Sequence, residues 1–181
     1  EVNVVIDGNS GTATEGTDFG TVSNITISAG STTGTVSFDP TDDSVYEGNE
    51  TAGISVSGVY GGGASESGTQ AVTITITENE SAPTVTLTTS ATSINENAGS
   101  SLTLTATLSI KVDEAVTVSL GTSGVATEGT DYTDGSGNID DITISAGSTT
   151  GTVSFTPTDD SIYEDDEAAT IAIDTVSGGG A

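Results

Sequence analysis

Apolar residues recur along this chain at every second position, in short runs. Val4 and Ile6, Ile25 and Ile27, Val36 and Phe38, Ile54 and Val56, and Val72, Ile74 and Ile76 alternate with polar or small residues. The pattern continues at Val85 and Leu87, at Leu102, Leu104, Ala106 and Leu108, and at Val116, Val118 and Leu120. It closes with Ile142 and Ile144, Val153 and Phe155, and Ile171 and Ile173. A period of two gives a strand one buried and one wet face, and Thr on the wet face keeps β-propensity high. Clusters of Gly, Asn, Asp and Ser separate the runs, and no stretch carries a helical period. The pattern predicts an all-β protein of antiparallel sandwiches, with about seven strands in each complete unit.

The pattern is also duplicated. ATEGTDF at Ala13–Phe19 returns as ATEGTDY at Ala126–Tyr132, and ITISAGSTTGTVSF at Ile25–Phe38 recurs unchanged at Ile142–Phe155. A period of roughly 115 residues is too long for a solenoid and fits whole domains in tandem. The expected boundaries are residues 1–80 and 81–181. Aligned this way, the first copy lacks two strands that open the second, Thr84–Thr89 and Ser101–Ser109, and the second lacks a counterpart of Ala71–Thr77. Each module is therefore expected to be incomplete. Flanking repeats of a longer array would supply the absent strands, or neighbouring units of a filament would do so by strand addition.

Composition makes that pattern carry more weight. Only 32% of the residues are hydrophobic, which by itself would leave folding in doubt. One basic residue stands against 27 acidic ones, for a formal charge of −26. Nucleic acid and anionic membranes need basic patches, so neither is an expected partner. No apolar run reaches membrane-spanning length and no signal peptide opens the sequence, so it reads as the interior of a longer secreted chain. There is no Cys, hence no disulfide framework. With no His, Cys or Arg, no nucleophile has a base beside it. Paired carboxylates can cleave glycosides, but 4% aromatic residues and no Trp make a poor sugar cleft. No enzyme is expected.

The acids are concentrated at one place in each repeat. PTDDSVYEGNE at Pro40–Glu50 matches PTDDSIYEDDE at Pro157–Glu167. Asp159, Asp160, Glu164 and Glu167, with Asp131 from the GTDY turn, crowd together without a basic neighbour. Such crowding calls for a cation, and hard oxygen ligands without His or Cys suit Ca²⁺ better than a softer metal or Mg²⁺. The competing reading is a solvated acidic loop. Asp134, Asp140 and Asp141 in the longer DYTDGSGN loop lack EF-hand spacing and read as a turn or an additional ion site. Lys111 is expected in a loop.

INENAG at Ile94–Gly99, the two ATEGTD segments, ISAGSTTGTVSF followed by DDSIYEDDE or DDSVYEGNE, and the strand ending ITENE together resemble the Calx-beta domain family over essentially the whole chain. The resemblance implies an immunoglobulin-like Greek-key β-sandwich binding Ca²⁺ at one pole. It implies ligation in the second module by Glu96, Asp131, Asp159, Asp160, Glu164 and Glu167, with the Ile162 carbonyl. In the first it implies Asp18, Asp42, Asp43, Glu47 and Glu50, with the Val45 carbonyl and Glu78 or Glu80. Gly48 and Asn49 stand where the second copy has Asp165 and Asp166, so the first site is expected to be weaker. The expected role is a calcium-binding structural repeat of an extracellular bacterial adhesin stalk or surface filament, with Ca²⁺ stiffening modules and joints. Its partners would be neighbouring copies of the same module, and a glycan or cell-surface ligand stays open. The alternative is a calcium-sensing regulatory module like those of sodium–calcium exchangers.

Overall fold

Thirteen strands take up the alternation, with one short 3-10 turn at Glu96–Ala98 and no α-helix among the described residues. The computed structural model describes residues 1–181, the side chain of Asn9 excepted. In chain order the strands are β1 (Val2–Gly11), β2 (Ile25–Ile27), β3 (Val45–Tyr46), β4 (Glu50–Tyr60), β5 (Ala71–Ile76) and β6 (Val85–Thr89). Then follow β7 (Leu102–Leu108), β8 (Lys111–Val112), β9 (Val116–Gly124), β10 (Tyr132–Thr133), β11 (Ile142–Ile144), β12 (Thr150–Pro157) and β13 (Ala169–Ser177). The chain divides into two compact units. One comprises Glu1–Asp43 and Gly48–Asn79, the other Ser44–Glu47 and Glu80–Ala181.

The second unit is a two-layer sandwich. One sheet runs β10-β12-β7-β6 and the other β11-β9-β13, with antiparallel pairing throughout both. Alternate residues of the facing strands meet in one core: Leu104, Ala106 and Leu108 from β7, Val116 and Val118 from β9, and Ile142 and Ile144 from β11. Tyr132 joins them, its ring stacked on Phe155 at 4.6 Å between centroids. Lys111, expected in a loop, lies instead in β8, whose parallel partner is β3 (Val45↔Lys111). A two-residue strand is too short to show a period, which is why β3, β8 and β10 escape a reading of alternation.

The first unit is built on one four-stranded antiparallel sheet, β2-β1-β4-β5. Its buried core is small: Phe19, Ala52 and Ile54, with Ile6, Ala13, Val22, Phe38, Ile74 and Ile76 packed around them half-buried. One predicted strand is absent. Val36 and Phe38 lie in irregular backbone, although the identical sequence forms β12 in the second unit. The physical reason is the partner. β12 pairs along its length with β7, and among the described residues of the first unit no strand lies opposite residues 33–38.

Candidate metal centre

Each ATEGTD segment folds into the same turn, and the turn fixes its aspartate. In the first copy Thr14 N donates to Asp18 Oδ2 (2.5 Å), Asp18 N to the Thr14 carbonyl (2.9 Å) and Gly16 N to the Phe19 carbonyl (2.7 Å). The second repeats this arrangement, with Thr127 N to Asp131 Oδ2 at 2.6 Å, Asp131 N to the Thr127 carbonyl at 2.8 Å and Gly129 N to the Tyr132 carbonyl at 2.8 Å. The aspartate carbonyl then receives the amide that opens the acidic segment, from Thr41 in one copy (2.8 Å) and Thr158 in the other (2.9 Å). The turn thus ties its own carboxylate to the beginning of the DDSxYE stretch. One carboxylate oxygen of each aspartate is held by the backbone.

In the first copy Asp18 and Glu50, both of the first unit, are half-buried, and so is Glu47, which belongs to the second. Asp42 accepts from Asn79 Nδ2 at 3.0 Å, and Asp43 is exposed beside it. Val45 lies in β3. Glu78 serves the fold directly, since its Oε2 accepts from Gly48 N and its Oε1 from Asn79 N, both at 2.9 Å. Asn49 Oδ1 in turn accepts from Glu78 N at 2.9 Å. The Gly48-Asn49 departure therefore closes the acidic segment onto the end of β5, and Gly48, at φ +76°, takes a conformation that favours glycine. Glu80 follows, half-buried.

In the second copy Glu164 feels most of its predicted companions. Its carboxyl is raised above the ordinary glutamate value first by desolvation, then by the charges of Asp131, Asp160, Glu167 and Glu96. Glu167 is raised by desolvation, by the charge of Asp131 and by a hydrogen bond with it. Glu96 comes from the 3-10 turn and Asp131 from the turn before β10, while Asp160, Glu164 and Glu167 belong to the loop after β12. Segments distant in sequence thus bring the charges of four other acids to bear on Glu164. Asp160 Oδ1 accepts from Ile162 N at 2.6 Å, folding the loop back on itself. Asp159 is exposed in the same loop, and the Ile162 side chain is exposed as well.

Raised carboxyls and an oxygen-only donor set fit a hard divalent cation. The residues present therefore suit Ca²⁺. Asp134, by contrast, is accounted for by its own loop: Oδ1 accepts from Ser136 N (2.7 Å), Ser136 Oγ (2.8 Å) and Gly137 N (3.0 Å), which lower its carboxyl. Asp140 is raised, chiefly by the charge of Asp134.

Sequence reasoning missed Glu128. Its Oε2 accepts from Thr122 Oγ1 (2.8 Å) and its Oε1 from Ile139 N (2.5 Å), pinning the longer loop to β9. The signal was present, since ATEG repeats intact with its glutamate in both copies.

Among the described residues no helix is long and apolar enough to cross a membrane. The family model described as Calx-beta domain matches twice, over residues 1–80 and 78–181. No curated protein matches the chain.

Proposed function

Because the chain belongs to the Calx-beta domain family, a family of calcium-binding β-sandwich modules, we propose that it is a non-catalytic structural repeat of an extracellular bacterial adhesin stalk or surface filament. Calcium rigidifies each module and the Ser81-Ala82-Pro83 link that follows Glu78 and Glu80, and neighbouring copies of the module are its partners. In the second module the ligands are Glu96, Asp131, Asp159, Asp160, Glu164 and Glu167 with the Ile162 carbonyl. In the first they are Asp18, Asp42, Asp43, Glu47 and Glu50 with the Val45 carbonyl, joined by Glu78 or Glu80.

The observation that carries this reading is the influence of four other acids on Glu164, from three separate segments. Acids whose charges raise the Glu164 carboxyl oppose the fold that gathers them, and a cation bound only to the folded arrangement reverses that effect by mass action. Near-identity of the two copies favours a mechanical role over a sensory one, because a repeat selected for uniform stiffness has no reason to diverge between copies.

Thermal unfolding in EDTA against millimolar Ca²⁺ tests it. A site loaded at about one hundred times its Kd adds roughly 2.7 kcal/mol, which for a domain of this size raises Tm by roughly 10–20 °C. An identical melt in both conditions would remove the metal reading.

A further inference from the structure

The outer face of the β10-β12-β7-β6 sheet is as regular as the inner one. Val85 and Leu87, Leu104 and Ala106, and Val153 and Phe155 pack into the core, so the residues between them point outward. In the observed register Thr86, Thr107 and Thr150 fall in one row across three strands, and Thr88, Thr105 and Thr152 in the next. Thr103 and Ser154 begin a third row. These ladders carry no register shift, whereas β1 with β4 and β9 with β13 do. The hydroxyls keep the same order. Thr86 Oγ1 donates to the Thr107 carbonyl and Thr88 Oγ1 to the Thr105 carbonyl, both at 3.4 Å.

The chain bears 27 acidic residues, yet β6, β7 and β12 hold no charged side chain. Phe155, the one aromatic residue of the three strands, packs into the core. Thr86, Thr88, Thr150 and Thr152 are exposed, and Thr105 and Thr107 on the central strand are half-buried. The result is a neutral face of methyls and hydroxyls that repeats in two dimensions.

That chemistry selects among partners. An ionic mineral or a charged polymer calls for charged side chains, and a sugar chain for aromatic platforms in a concave site. A two-dimensional repeat of small neutral groups fits a partner that itself repeats in two dimensions. Neighbouring strands lie ~4.8 Å apart and alternate residues along a strand ~6.7 Å apart. Water oxygens hydrogen-bonded at about 2.75 Å in tetrahedral order repeat at about 4.5 Å and about 7.3 Å. The two lattices differ by roughly a tenth or less in each direction. We propose that this face binds the surface of ice, with threonine hydroxyls taking the places of lattice waters and the methyls filling the space between them. Each hydroxyl offers one donor and two acceptor sites to the water layer it meets. Strand twist of roughly 20° per neighbour confines the match to a small patch, so the two full rows of threonine carry the attachment. Binding there uses none of the acidic residues, and it goes beyond the calcium reading without depending on it.

The test grows ice slowly from a solution of the full chain in millimolar Ca²⁺, with serum albumin as the protein that ice excludes. The chain is expected to enter the ice in clear excess over albumin. Thr105→Tyr places a ring at the centre of the array, pointing outward, and should reduce incorporation to the albumin level. Thr88→Tyr repeats the change on the edge strand β6, leaving β7 and its pairing with β12 untouched. Thr143→Tyr, exposed on β11 in the other sheet, should leave incorporation unchanged. Circular dichroism checks that each variant is folded. Incorporation no greater than albumin's overturns the inference, as does its retention in both array variants or its equal loss in all three. Self-association of the chain that Thr105→Tyr abolishes, read by sedimentation, assigns the face to a second copy and overturns it as well. A melt indifferent to Ca²⁺ alongside array-dependent incorporation supports the ice-binding face and overturns the metal reading alone.

Discussion

Asp18 and Asp131 show how one acidic side chain can serve the fold of the turn that carries it. Each accepts its own turn's amide on Oδ2, and each passes its carbonyl to the start of the acidic segment. Asparagine can accept the same amide bond, so Asp131→Asn should leave the fold intact while removing one charge from the site. Calcium affinity at the second site is expected to fall by roughly tenfold or more, measured by titration calorimetry, because ligand charge tunes Ca²⁺ binding over orders of magnitude. Glu164 and Glu167 carry a second consequence. Both carboxyls are raised in the folded protein above the ordinary 4.5, so in that window the folded state binds more protons than the unfolded one. Their contribution to stability is therefore fully present below the ordinary value and is lost as pH rises through the raised ones. In EDTA, Tm should drift down through this range from these two groups. In saturating Ca²⁺ the drift should vanish or reverse, because protons and metal compete for the same oxygens. Melts at stepped pH with and without calcium measure both.

Gly34 and Gly151 sit at equivalent places in a segment whose sequence is the same and whose pairing is not. Both lie where a Cβ would strike the backbone of the strand before it. Gly34→Ala and Gly151→Ala should each cost about 1–3 kcal/mol by overpacking, read from urea denaturation. The pair also marks the limit of what a sequence can reveal about an element. Strands such as β7, β9 and β13 were legible because one face is buried in a real core, which forces alternation. Val36 and Phe38 alternate just as well, but a strand is a relation between two segments, and alternation describes only one of them. The site divides in the same way. Asp131, Glu164 and Glu167 could be read from local crowding, and Glu96 could be reached only through the family resemblance, because it arrives from a 3-10 turn distant in sequence. Glu78 was legible as an acid near the site. Its bonds to Gly48 and Asn79 were not, because they depend on how β5 ends.

Two terms of opposite sign dominate the molecule as a whole. Burial favours folding, yet among the described residues the buried core of the first unit consists of Phe19, Ala52 and Ile54, against ten buried residues in that of the second. The charge of −26 works against compaction in both, and calcium is the natural counterweight. The lone base, Lys111, gives this composition a further consequence. A protease that cuts after basic residues finds one bond in the whole chain, and that bond lies within β8. Val112 on its far side is fully buried, and the Val112 carbonyl accepts from Gly147 N at 2.7 Å. Cleavage there requires the second unit to open first, so digestion reports opening rather than surface access. Trypsin should leave the calcium-loaded protein whole and convert it in EDTA to two fragments, a change that gel electrophoresis reads directly. A chain almost without basic residues, whose single lysine is stitched into a strand, is poor food for a whole class of digestive enzymes for as long as it stays folded.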